Sequence, residues 1–79
     1  MEYYVGAIAA FAFNYAPAQF VLCNGQSLLI SKQQQLYALI GKKFGGDETS
    51  FKVPDLSDAA MIPGTAYYIA TDGICPQFD

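Results

Sequence analysis

The sequence predicts a small α+β domain, mostly β, with one short helix. Two uncharged runs rich in aromatic and apolar residues, 3–13 and 65–71, read as strands. Between them, Leu36, Leu39 and Ile40 fall on one helical face, with Leu36 and Ile40 one turn apart. At 79 residues, a single domain spanning 1–79 is expected.

The run 3–13 reads as the longest strand. Tyr3, Val5, Ala7, Ala9, Phe11 and Phe13 would share one face, and Tyr4, Gly6, Ile8, Ala10 and Ala12 the other. Neither face is polar, and a strand apolar on both faces is buried on both. Either the chain itself covers both faces, or a neighbouring subunit covers the second. The small residues Gly6, Ala10 and Ala12 would let another backbone come close. Alanine also favours helix, but the aromatics and the turn signal at 14–17, which ends in Pro17, favour strand.

Asn24-Gly25 then lies between two apolar runs, 19–23 and 26–30. Both residues tolerate the positive φ of a type I′ turn, so the two runs read as the arms of a hairpin. Ser31, with Gln34 three residues later, has the spacing of a capping box. It predicts a helix over 32–40 that Gly41 ends in a left-handed conformation. A helix this short depends on tertiary packing. Residues 42–50 read as an exposed loop, and 51–53 as a short strand kept extended by Pro54. Residues 54–64 are irregular. Residues 65–71 form the second strand, Asp72-Gly73 turns the chain, and 74–79 are a tail. No solenoid repeat or low-complexity tract is visible.

The composition speaks for association. Hydrophobic residues make up 53% of the chain and charged residues 14%, against roughly 25–35% charged on the surface of a small soluble domain. A chain of this size buries only ~60% of its unfolded surface. The surplus apolar area therefore calls for cover by copies of the chain, a partner or lipid, and self-association is favoured. The net charge is −3, with four lysines, no arginine and no histidine, which argues against nucleic acid as a partner. Lys42-Lys43 are explained as complements to the helix dipole. Met1-Glu2-Tyr3-Tyr4 lacks the basic start of a secretory leader, and no run approaches the ~20 residues of a membrane helix. A surface-lying amphipathic helix would need a basic polar face that no segment has.

Catalytic chemistry is poorly supplied. Without histidine, Cys23 has no imidazole partner and the usual neutral-pH base is absent. The serines fit no nucleophile elbow, and Gly41-Lys42-Lys43 lacks the spacing of a phosphate loop. Asp47, Glu48, Asp55 and Asp58 could offer oxygen ligands to calcium, but turn geometry is the simpler role for Asp47. No enzyme activity and no cofactor is expected. Cys23 and Cys75 are a candidate disulfide, worth roughly 4 kcal/mol by loop entropy; the alternative is two buried thiols in a reducing compartment. Tyr67 and Tyr68 alternate faces on a strand, so one is expected to face outward, to a subunit interface or a sugar.

The chain also resembles a known family. Leu22-Cys23-Asn24-Gly25-Gln26, then Leu36-Tyr37-Ala38-Leu39-Ile40-Gly41, Phe44-Gly45-Gly46-Asp47 and Phe51-Lys52-Val53-Pro54-Asp55-Leu56, in that order, look like the phage tail collar domain. That domain occurs in phage short tail fibres and in bacterial microcystin-dependent proteins. Gly6-Ala7-Ile8 with Phe11-Ala12-Phe13-Asn14-Tyr15-Ala16-Pro17 is similar to the family's opening. Tyr68-Ile69-Ala70 with Gly73-Ile74-Cys75-Pro76 is similar to the C-terminal tail of longer members. The chain departs from the family in having no tryptophan near Phe20, no arginine-rich stretch after Leu56 and no long insert before its tail.

The resemblance implies a structural protein. The expectation is a self-assembling subunit, a trimer or a filament, of a phage tail or extracellular appendage. Its partners would be itself and other tail or appendage proteins. It would sit in the cytoplasm before assembly, and in the virion or appendage after it. The expected interface residues are Tyr3, Tyr4, Val5, Gly6, Ile8, Ala10, Phe11, Phe13, Tyr67, Tyr68 and Ile69. The second reading is a surface adhesin that holds a glycan or other ligand through the 42–50 loop and exposed tyrosines.

Overall fold

The computed structural model describes residues 3–12, 16–59 and 64–74. Among these residues five strands and one helix follow in the order β1 (Ile8–Phe11), β2 (Phe20–Leu22), β3 (Ser27–Leu29), α1 (Gln34–Ile40), β4 (Ser50–Lys52) and β5 (Ala66–Ala70). They form an antiparallel three-stranded sheet, β1-β5-β2, and an antiparallel pair, β3-β4. This is the small, mostly β α+β domain that the sequence predicts.

β5 is the central strand, and its sequence suits that place. Ala66-Tyr67-Tyr68-Ile69-Ala70 carries no charge. On one face Ile69 joins Val5, Cys23, Leu36, Phe51 and Val53 in the main core. On the other, Tyr68 and Ala70 pack with Phe20. A strand covered on both faces needs such a continuous apolar run. Phe20 is the hub of the second cluster. Its ring meets Tyr3 at 5.0 Å and Phe11 at 5.4 Å, both edge-on. That geometry sets a positive ring edge against a negative face, worth ~0.5–1.5 kcal/mol per pair beyond area. The helix closes the main core with Leu36, which is fully buried, while Leu39 and Ile40 pack at its margin.

Asn24-Gly25 does not close a hairpin. β2 pairs with β5 and β3 pairs with β4, so the dipeptide is a corner between two sheets. Asn24 bridges to Asp55, its Oδ1 accepts the Gln26 N–H at 3.1 Å, and Gly25 has φ +77°. The reason is burial. Pairing with β5 sets Val21 opposite Ile69, and pairing with β4 sets Leu28 opposite the buried Phe51.

The first strand is also shorter than the run that predicts it. Ala7 donates its N–H to the Tyr4 carbonyl at 3.0 Å, closing a turn in which Gly6 has φ +88°. Only Ile8–Phe11 is strand; Phe13 lies outside the described residues. β1 is not buried on both faces either, since Ile8 and Ala10 are exposed.

The helix starts at Gln34 rather than at 32. The Leu29 carbonyl accepts the N–H groups of Lys32 and Gln33, both at 3.1 Å, so 29–33 is a turn. Gln33 takes the N-cap position without a side-chain cap, and the capping box of Ser31 and Gln34 does not form. At the other end Gly41 has φ +53° and donates to the Tyr37 carbonyl at 2.8 Å.

Candidate interaction surface

Cys23, Asp47 and Asp55 are engaged in structure. Cys23 is a free thiol, almost wholly buried in the main core. Burial disfavours its thiolate and pushes its pKa up to about 11. Cys75, the other half of the candidate disulfide, lies outside the described residues. Asp47 Oδ1 accepts the N–H groups of Thr49 and Ser50, each at 2.9 Å, and the Ser50 hydroxyl at 3.0 Å. The Thr49 N–H is the largest cause that lowers the Asp47 pKa, followed by the bonds from Ser50. Asp55 accepts the hydroxyl and the N–H of Ser57, and the hydroxyl contributes most to its lowered pKa. Both carboxylates serve turns, as expected for Asp47. Among the described residues no group of three or more His, Cys, Asp or Glu is placed to hold a metal ion.

The apolar surface is the more telling feature. Tyr4 is 58% exposed, Ile8 46% and Ile74 41%. Tyr4 lies opposite Ile74 in a parallel bridge. Val5 donates to the Ile74 carbonyl at 2.9 Å, and Ile74 donates to the Tyr3 carbonyl at 3.0 Å. Ile8 follows at the start of β1, an outer strand of its sheet. Leu29 and Phe44 are exposed elsewhere, on β3 and in the loop after α1.

The expected interface residues divide on burial. Val5, Tyr68 and Ile69 are inside the chain's own core. Tyr3, Gly6, Phe11 and Tyr67 are half-buried, and Tyr3 and Phe11 are held against Phe20. Tyr4, Ile8 and Ala10 are exposed. Ile74 was not among the expected residues. Its place beside Tyr4 depends on a bridge between opposite ends of the chain, for which no local pattern exists.

The phage tail collar domain matches residues 6–61, well over half of the chain. The chain belongs to the phage tail collar domain family. The family is structural rather than catalytic and points to a virion-associated role in a phage tail fibre, in association with other tail proteins. The match takes in β1 to β4 and α1 but stops short of β5. No curated protein and no solved structure matches the chain. Among the described residues no helix is long and apolar enough to cross a membrane.

Proposed function

We propose that this chain is a self-assembling structural subunit of a phage tail-like or extracellular appendage. It acts by association of identical copies, not by catalysis. The observation that supports this reading is the exposed apolar margin of Tyr4, Ile8 and Ile74, in a chain with few charges to keep copies apart. The family membership agrees with it. Ala10 is exposed with Ile8 on β1, and Tyr3, Gly6, Phe11 and Tyr67 keep part of their surface open. A contact that closes gives a ring or trimer, and one that does not close gives a filament. The protein is cytoplasmic before assembly and part of the virion or appendage after it.

Light scattering and negative-stain electron microscopy of the purified chain test the proposal. The expected result is a mass that is a multiple of 8.6 kDa, with uniform particles or fibres. Tyr4→Lys together with Ile74→Lys should lower the associated mass while the protein stays folded. A wild-type monomer at every concentration would overturn the reading.

A second reading, an adhesin that holds a glycan or other ligand, has one observation in its favour. An open hollow of about 390 Å³ lies between β3, α1 and the 42–50 loop, where exposed Leu29 meets Gln34, Glu48 and Thr49. Glycan-array binding by a monomeric protein would move this reading to first place.

A further inference from the structure

The outer edges of the two sheets are not alike. Along a strand, backbone groups point alternately toward each neighbour, so register shows which groups face outward. On β2, Cys23 donates to the Tyr67 carbonyl of the central strand, leaving Phe20 and Leu22 to face away. Half of those groups are occupied. Phe20 N–H bonds to the Pro17 carbonyl at 3.1 Å, and the Leu22 carbonyl accepts Asn24 N–H at 3.0 Å and Gln26 Nε2 at 2.9 Å. On β4, Lys52 N–H bonds to the Gly45 carbonyl at 3.1 Å, and the Ser50 carbonyl accepts Asp47 N–H at 2.9 Å. On β3 the Leu29 carbonyl accepts Lys32 and Gln33, which confines the open part of that edge to Ser27 and the Leu29 N–H.

β1 has no such cover. Ala70 donates to the Ala7 carbonyl at 2.9 Å, so Ala7, and by alternation Ala9, face β5. Ile8 and Ala10 then present their N–H and C=O groups outward. Among the described residues no strand or turn meets them. The usual guards of an open edge are also missing, since 3–12 holds no charged residue and no proline.

We propose that β1 pairs with β1 of a second copy, antiparallel about a two-fold axis, joining two three-stranded sheets into one of six strands. The occupant is a second copy because the edge complements itself. Centred on Ala9, each Ile8 falls opposite Ala10 of the other copy, and the two exchange N–H···O bonds in both directions. The exposed Ile8 side chain then lies beside a small alanine. The other edges are partly filled by the chain's own turns, so pairing of β1 with β1 leaves the fewest outward groups unmet; the contact is isologous and closes as a pair. A ring or filament, but not a trimer, is built from such pairs through a different surface. This inference rests on the proposed self-assembly and deepens it by naming the contact.

Ala10→Pro tests it. Proline at this position removes an outward N–H and fills the edge with its ring, while the β5 ladder keeps its bonds. The smallest associated species should fall from two chains to one in light scattering, with an unchanged circular dichroism spectrum. A folded Ala10→Pro protein that keeps the wild-type mass would overturn the β1 contact and leave self-assembly standing. A wild type that is always monomeric would overturn both. If Ala10→Pro does not fold, amide exchange in the wild type decides. Ile8 and Ala10 should exchange at least an order of magnitude more slowly in the associated protein than after dilution to monomer. Equal exchange in the two forms would overturn the contact.

Discussion

A Cβ placed on Gly46 would sit 2.5 Å from the Ser50 carbonyl oxygen and 2.8 Å from the Phe51 Cα. Gly46 bridges to Phe51 with φ +142°, so the 42–50 loop lies with its backbone directly against β4. Both the conformation and the space exclude a side chain. Gly46→Ala should lower stability by about 1–3 kcal/mol from backbone strain alone, with the clash added to it. Gly41→Ala is the control, because Gly41 also has positive φ but open space around its Cβ position. Urea denaturation should place the Gly46→Ala midpoint well below that of Gly41→Ala. Equal midpoints would mean that the close approach contributes nothing.

The elements were more legible in the sequence than their partners. Leu36, Leu39 and Ile40 announced the helix, because their spacing is a local property. Tyr67, Tyr68 and Ile69 announced a strand for the same reason. Asn24-Gly25 misled because a hairpin and a corner between sheets ask the same of two residues, namely tolerance of positive φ. What separates them is where Val21 and Leu28 find buried partners, and those are Ile69 and Phe51. Ser31 misled because the preceding turn claims the Leu29 carbonyl first and delays the helix. Gly6 was the available sign that the run 3–13 would break, since a glycine inside a strand pattern marks a bulge or turn.

The interaction surface was legible in amount but only partly in place. The surplus of apolar over charged residues is a property of composition alone. That Tyr4 and Ile8 stay exposed while Val5 is buried fits the alternation read from the sequence, although the turn at Gly6 interrupts the strand between them. Ile74 could be found only from the bridge to Tyr4.

Cys23 should behave as an inert core thiol. In a Cys75→Ala background, which leaves one thiol to read, Ellman's reagent should react slowly in buffer and quickly in urea. The raised thiol pKa also sets a pH dependence. The unfolded thiol ionises near 9.0 and the folded one near 11. The stabilisation is therefore complete below pH 9 and is lost as pH rises through that window. Cys23→Ala should flatten this alkaline fall in Tm. Cys23→Ser should cost more at neutral pH, about 1–3 kcal/mol, because it sets a hydroxyl among Val5, Leu36 and Phe51. Fast labelling of the native thiol would show that the core opens at Cys23.

The acid limb has the opposite sign. Asp47 and Asp55 are both held below the usual carboxylate range, by bonds from Thr49 and Ser50 in one turn and from Ser57 in the other. As pH falls below about 4, the unfolded chain takes up protons before these folded carboxylates do. Their contribution is thus full at neutral pH and disappears as pH drops through the folded pKa values. Asp47→Ala should lower Tm at pH 7, and its gap to the wild type should narrow toward pH 2. Asp47→Asn keeps an acceptor oxygen for the Thr49 and Ser50 N–H groups, so it should lose less than alanine and show a flatter acid limb. Both side chains are exposed, and salt should weaken the effect. A gap for Asp47→Ala that stayed constant from neutral pH to pH 2 would show that the carboxylate's charge adds nothing to the turn.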